Sequence, residues 1–368
     1  MAAPKATVWE LEPHTRAKHE ILKRYLQAWT AMLGQSEFPK VLYIDGFAGP
    51  GRYSGGEKGS PIIALKAALA HKDKIKTRID FRFIELDRER AAVLEEIVTG
   101  IEVPDNFHIE FAPGQTFEAA FAEIHGSYKA KLGKLPPTFA FIDPSGWKGV
   151  PFSTVRTIMS YRSCEVFVNF IYEEVNRFIA HPDQEANFDS FFGTTAWRHC
   201  MSLNDPRHRN RFLHDLYLSQ LRTVAGAKFV RSFQMRNDRD VTDYYLFYAT
   251  NNLLGLKKMK EAMWTVDKLG EFTFSDATDP NQLILFAKEP RFEELKSQFL
   301  NQFRGREATV GEVEEFVLTE TAFRETHYKT KVLRPLELAD PPGLKVIDPP
   351  RGRRRGTYRD ASMRLRFL

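Results

Sequence analysis

Hydrophobic positions in the first half of the chain fall into short dense runs: KVLYID (40–45), IDFRFIELD (79–87), NFHIEFAPG (106–114), TFAFIDP (138–144) and CEVFVNFIY (164–172). Runs with so little polar alternation are the mark of strands buried on both faces. The stretches around them have helical spacing. TRAKHEILKRYLQAWTAML (15–33) sets Ile21, Leu22, Tyr25, Leu26, Trp29 and Leu33 on one stripe, with Thr15 as its expected cap. Ser60-Pro61 predicts a helix start, serine as N-cap and proline in the first turn. Further helices are expected from about Arg88 to Val98 and through QTFEAAFAEIHGSYKAKL. Strand and helix in this rhythm predict an α/β fold, a parallel sheet covered on both faces.

The rhythm changes after Tyr172. Residues 173–225 read as a helical insertion broken at HPD and NDPRH. KFVRSFQMR (228–236) and TDYYLFYATN (242–251), joined by NDRDV, predict an antiparallel pair, for seven strands in all. Polar residues thicken around 273–284, which places a boundary there, with domains expected over 1–272 and 285–368. Helices near 291–303 and 309–321 and through HYKTKVLRPLELA precede strands at LKVID (344–348) and TYRDASMRLRFL (357–368). Three helices and a two-stranded wing are the order of a winged-helix-like domain.

Composition narrows the class. With 368 residues, 43% of them hydrophobic, the chain can bury a large core. It contains no apolar run of membrane-spanning length, so no membrane partner is expected. The start, MAAPKATVWELEPH, lacks the regions of a signal peptide. Two cysteines, Cys164 and Cys200, without ligand spacing point away from a disulfide framework or a zinc site and towards a reducing, cytoplasmic setting. A net charge of +5 mildly favours an anionic partner.

Candidate chemistry gathers at the strand ends, where ligands bind in open α/β sheets. VLYIDGFAGPGRY (41–53) runs from a strand into Asp45, Gly46, Phe47, Gly49 and Gly51. No GxxxxGK[ST] follows, and GRYSGGEKGS separates the loop from its helix, so neither a P-loop nor a dinucleotide fingerprint is matched. A sulfonium nucleoside, S-adenosylmethionine, suits acids in this position: Asp45 for an ammonium, Glu85 or Asp87 for ribose hydroxyls, Gln115 for an adenine edge. Ordinary turn chemistry also explains Asp and Gly at any one strand end. FIDPSGWKG (141–149) is the expected acceptor side. Amino-directed methyltransferases carry an Asp-Pro-Pro-aromatic motif after the fourth strand, and here Asp143, Pro144, Ser145 and Trp147 stand in its place. Asp143 and the Pro144 carbonyl are expected to hold a target amine by proximity and orientation.

WELEPHTRAKHEILKRYLQAW, IDGFAGPG, GSPIIAL, FIDPSGWKG, NFIYEEVNRF and GLKKMKEAMW occur in that order over residues 9 to about 264. Together they resemble the three-Cys-motif partner protein family. The resemblance implies a Rossmann-like, seven-stranded class I methyltransferase fold, S-adenosylmethionine as cofactor and a companion protein carrying three cysteines. It also implies that the N-terminal helix closes the cofactor pocket, which makes His14, Thr15 and Lys18 pocket candidates, His14 or Lys18 pairing with the cofactor carboxylate. Asn169, Glu173, Glu174, Asn176 and Arg177 lie beyond the fifth strand, near the acceptor. Ser145-Gly146 in place of proline-aromatic keeps open a non-catalytic, cofactor-binding nucleic-acid adaptor, and a small-molecule methyltransferase is a further alternative.

The C-terminal segment concentrates Arg351, Arg353, Arg354, Arg355, Arg359, Arg364 and Arg366 around a single acid, Asp360. An arginine-loaded wing tip suits a phosphate backbone, with His327, Lys329 and Lys331 of the preceding helix also facing phosphates. Protein docking or solubility is the alternative use of the same charge.

Overall fold

The computed structural model describes residues 6–267, 271–275 and 292–368. The chain forms two compact units, Met1–Ala262 with Thr273–Asn281, and Met263–Phe272 with Gln282–Leu368. Part of the boundary expected at 273–284 lies outside the described residues.

The first unit is a mixed α/β structure on one mostly parallel sheet. Its strands are β1 (Lys40–Asp45), β2 (Arg78–Glu85), β3 (Phe107–Pro113), β4 (Thr138–Ile142), β5 (Cys164–Phe170), β6 (Phe229–Arg236), β7 (Thr242–Thr250) and β8 (Thr273–Ser275). They lie in the order β3-β2-β1-β4-β5-β7-β6-β8. Strand β7 alone runs against its neighbours, pairing antiparallel with β5 and β6. The sheet therefore has eight strands rather than the expected seven. The extra one, β8, adds parallel to β6 through only three residues, too few to carry a period.

The helices of this unit are α1 (Pro13–Leu33), α2 (Ser60–Leu69), α3 (Arg88–Thr99), α4 (Phe117–Leu132), α5 (Phe152–Met159), α6 (Tyr172–Phe178), α7 (Glu185–Phe192), α8 (Pro206–Ser219) and α9 (Leu253–Val266). Every residue of β4 and β5 is buried, which accounts for their unbroken apolar runs. Two caps differ from expectation. Helix α1 begins at Pro13 with Glu12 before it, so Thr15 lies inside the first turn. Helix α2 has Gly59 at its N-cap, which frees the Ser60 hydroxyl for Asp45. The segment 173–225 is helical as read, through α6, α7 and α8 and short turns of tighter or wider helix.

The second unit contains α10 (Phe292–Phe303), β9 (Glu307–Thr309), α11 (Val310–Glu320), α12 (Glu325–Tyr328), α13 (Arg334–Leu338), β10 (Leu344–Ile347) and β11 (Arg364–Phe367). Its sheet has three antiparallel strands in the order β10-β11-β9, one more than expected. The end of α9 packs here, with the Trp264 indole N–H donating to the Ala322 carbonyl at 2.8 Å. Glu337 organises the loop between β10 and β11. It accepts from both Arg353 Nη atoms (2.8 and 2.6 Å), from the Gly356 N–H (2.8 Å) and from the Tyr358 hydroxyl (2.7 Å). Burial alone would raise its pKa, but these donors outweigh it and hold the carboxylate below its usual range. Stability from this pairing is therefore complete above the unfolded value of 4.5 and drains as pH falls through the depressed one. Glu337→Gln is expected to cost about 2 kcal/mol, read as a lower urea midpoint. Among the described residues no helix is long and apolar enough to cross a membrane.

Candidate cofactor and acceptor site

Parallel register sets the ends of the central strands level, with Asp45 opposite Phe83 of β2 and Phe141 of β4. The chain leaves β1 towards β2 on one side, and β4 lies on the other. The β1/β4 boundary is thus the sheet's topological switch point, where a crevice opens beyond the carboxyl ends. A cavity of about 820 Å³ occupies that place, lined by residues 46–53, Ser60, Glu85, Asp87, Gln115 and residues 143–149.

The loop after β1 is shaped by its glycines. Gly49 and Gly51 have φ of 61° and 75°, the left-handed region that side chains with a Cβ resist. A Cβ on Gly51 would also meet Leu94 Cδ1 at 2.6 Å. The Gly49 N–H donates to Glu85 Oε2 at 2.8 Å, and the Ala48 N–H to the Ile84 carbonyl at 2.9 Å. The loop is thereby tied down across the end of β2.

Asp45 differs from its expected place. It is fully buried beneath the loop and does not line the cavity, so it offers no oxygen for direct contact with an ammonium. It accepts instead from the Tyr43 hydroxyl (3.3 Å), the Phe47 N–H (3.4 Å) and Ser60. Burial pushes its pKa up to about 7, the Ser60 hydrogen bond opposing and the Asp143 charge adding. Glu85 lines the cavity, and its second oxygen accepts the Asp87 N–H at 2.9 Å. Asp87 also lines it while capping α3 through the N–H groups of Glu89 and Arg90. Gln115 presents a buried carbonyl oxygen without a partner. Phe47 packs on Phe117 with centroids 5.9 Å apart.

A second cavity of about 520 Å³ adjoins the first. It is lined from α1 and the residues before it, from the ends of β4 and β5, and from Asp243 and Tyr244 at the start of β7. Trp9, Tyr53, Asp143, Pro144 and Ser145 line both. His14 and Thr15 line only the second, which corrects their expected place beside the cofactor. His14 Nε2 lies 2.9 Å from Glu12 and 3.6 Å from Asp243. Burial pushes Asp243 up to about 6 against the opposing pull of His14.

The partition between the two cavities, where Asp143 lines both, holds the largest departure from expectation. Lys18 and Asp143, assigned from the sequence to different ligands, pair with each other: Nζ lies 2.8 Å from Oδ1 and 2.6 Å from Oδ2. Asn169 Nδ2 also donates to Asp143 Oδ1, at 2.6 Å. Three of the carboxylate's roughly four acceptor positions are taken, so it is not an open cradle for an amine. Trp147 also moves. It lines the first cavity only and packs against Phe188 (5.0 Å, 21°) and Phe178, so its ring is fixed in the wall, away from the acceptor chamber.

Sequence reasoning passed over several lining residues. Trp9 and Tyr53 meet edge to face at 5.8 Å, and the Arg90 guanidinium lies 4.9 Å over Trp9. His19 is buried, and its pKa falls to about 3 through burial and the neighbouring Lys18, so it is neutral at ordinary pH. None of these carries a spacing signal. Trp9 lies ahead of the first periodic segment, and Tyr53 is one polar-flanked aromatic in a loop.

In the second unit the basic residues divide. Arg353 is buried against Glu337, and the Arg355 guanidinium donates to the Glu337 carbonyl, so these two build the loop. Arg364 and Arg366 pair with Glu307. His327 packs between Trp264 and Phe292, which removes it from the expected phosphate face. Lys329 lies 3.7 Å from Glu314. Arg351, Arg354, Arg359 and Lys331 are exposed.

No family model matches the chain, and no curated protein matches it. Solved structures similar to it include a Legionella pneumophila protein at 14% identity and TM-score 0.36, over 63% of this chain and 85% of that one. An O-methyltransferase from Bacillus cereus in complex with SAH follows at 12% identity and TM-score 0.30, over 66% and 82%. The SAH-bound Podospora anserina methyltransferase PaMTH1 is 13% identical, with TM-score 0.27, over 61% and 78%. Likenesses of this size decide nothing about the chemistry.

Proposed function

We propose that the chain is an S-adenosylmethionine-dependent methyltransferase of the Rossmann-like class I type, acting on a nitrogen of a nucleic-acid base. The observation that carries this reading is the pair of cavities meeting at Asp143-Pro144-Ser145 over the switch point. The first suits the cofactor. Backbone at Gly49 and Gly51 approaches without side chains, Glu85 stands at the end of β2 for ribose, and the Gln115 oxygen lacks the donor that an adenine amino group would supply. Glu85 and Asp87 stand in the wall at the end of β2, whereas of the lining cations Arg52 and Lys148 are exposed and Arg90 lies over the Trp9 ring and 3.8 Å from Asp87, a distribution that favours a cationic nucleoside over a pyrophosphate. When bound, S-adenosylmethionine supplies a methyl group activated by its sulfonium. The protein's part is to hold the acceptor in the second chamber, in line with the first, and to exclude water.

The second unit supports the nucleic-acid part of the reading. Helices α10 to α13 with three antiparallel strands are compatible with the winged-helix-like domain proposed here, and Arg351 and Arg354 are exposed beside the ion pair that shapes their loop. Strands β10 and β11 are both part of the three-stranded sheet, so point substitutions test the wing better than removal of the C-terminal segment. Arg351→Gln with Arg354→Gln is expected to reduce the slope of log affinity against log salt by about 1.4 on single strands, roughly 0.7 per lost phosphate contact. Filter binding across a salt series measures it.

Transfer itself is tested with tritiated S-adenosylmethionine on DNA and RNA. Label on a base is the expected result. Binding of S-adenosylhomocysteine without label in either polymer would instead favour the cofactor-binding adaptor that works with a partner protein.

A further inference from the structure

Asn169 stands in β5 directly across from Leu246 of β7, at the end that opens into the second chamber. It is only 3% exposed, and its Oδ1 has no hydrogen-bond partner. Its amide orientation is fixed by Asp143. Nδ2 lies 2.6 Å from Asp143 Oδ1, and the opposite flip would set two oxygens against each other. The carbonyl oxygen is therefore the atom left over, a buried acceptor in a cavity-lining residue. Such a group is costly unless something donates to it.

The chamber's charge says what that donor is attached to. Glu10, Glu12, Asp143 and Asp243 line it against Lys18 and His14, and Lys18 is held by Asp143. A phosphate entering this space would meet more negative than positive charge. A neutral ring with an N–H group meets no such barrier. The volume, about 520 Å³, lies within the usual span for small-ligand pockets, roughly 300–1,000 Å³.

We infer that Asn169 Oδ1 receives the exocyclic amino group of the acceptor base, and that it, rather than Asp143, selects an amine-bearing heterocycle for the second chamber. This rests on the reading of that chamber as the acceptor side, and it narrows the substrate to rings with an exocyclic amine, phosphates remaining outside. Lys18 and Asp143 then act as a fixed pair that orients the Asn169 amide.

The test compares fluorescein-labelled single-stranded oligonucleotides that differ in one group: adenine against purine lacking the 6-amino group, and cytosine against the pyrimidone lacking the 4-amino group. Anisotropy with the full chain is expected to show roughly 10- to 100-fold preference for the amino form in at least one series, the loss expected when a buried acceptor goes unpartnered. Asn169→Leu should bring that preference to about one. Equal affinity of the wild-type protein for amino and amine-less forms in both series overturns the inference without recourse to any variant, as does an unchanged preference in folded Asn169→Leu. Calorimetry with S-adenosylhomocysteine is run separately. Failure there removes the cofactor reading, whereas the base comparison stands or falls on its own.

Discussion

Asp45→Ala is expected to weaken binding of S-adenosylmethionine roughly 100-fold or more, because the loop that forms the cavity floor loses its anchor. The carboxylate accepts from Tyr43, Phe47 and Ser60 in a fully buried position. Each orphaned donor costs about 1–3 kcal/mol, and 1.4 kcal/mol is tenfold in affinity. Asp45→Asn separates the anchor from the charge. The carbonyl oxygen keeps an acceptor under the loop, while the negative charge is gone at every pH. In the wild-type protein, burial raises Asp45 to about 7, so it is largely protonated below that value and ionised above. An acid with a raised folded-state pKa loses folding stability as pH climbs from its unfolded value, 3.8, through 7. Cationic ligand binding has the opposite sense, since only the ionised form attracts it. Affinity should thus rise with pH towards 7 and level off above. The groups that share this charge environment are Tyr43 on β1, Ser60 on α2, and Asp143 paired with Lys18. In Asp45→Asn the rise should be absent. Calorimetric titrations between about pH 5.5 and 8, a range that spans the Asp45 transition, read both effects.

The second large effect concerns the partition. Lys18→Met removes the partner of an Asp143 carboxylate whose side chain is only 17% exposed. Breaking a buried pair from one side costs about 3–5 kcal/mol, since the remaining charge is stranded, whereas replacing both partners is far milder. Asp143→Asn alone strands the Lys18 ammonium, which is 7% exposed. The double variant Lys18→Met, Asp143→Asn should recover most of the loss. Urea unfolding of the four proteins closes the cycle. Additive losses would show that the two side chains do not form the pair described.

How much of this was legible beforehand follows from where the information lies. Strands β1, β4 and β5 are buried on both faces, so their apolar runs announced them within a residue or two, and β3, although only partly covered at the sheet edge, keeps an apolar run that marks it as well. Helix α5 went unread because PFSTVRTIM follows a turn and spans little more than two turns of helix. Strands β8 and β9 have three residues each, below any period. Among the site residues, the glycine loop, Glu85 and the Asp-Pro-Ser segment were visible because strand ends and loop chemistry are local. The placement of Asp45 beneath the loop, the Lys18–Asp143 pair and the separation of His14 and Thr15 into a second chamber depend on where α1 lies across the sheet. That is a tertiary fact, and one periodic stripe of Ile21, Leu22, Tyr25 and Leu26 does not reveal it. The arginine cluster shows the same limit. Composition made Arg353 look like a phosphate ligand, but Glu337, sixteen positions away, claims it.

The most direct measurement is a calorimetric titration of the intact chain with S-adenosylhomocysteine, alongside NAD as a dinucleotide control. The cavity at the β1/β4 boundary predicts one-to-one binding of the S-adenosyl compound and no heat from the dinucleotide. Saturable binding of NAD with none for S-adenosylhomocysteine would contradict it.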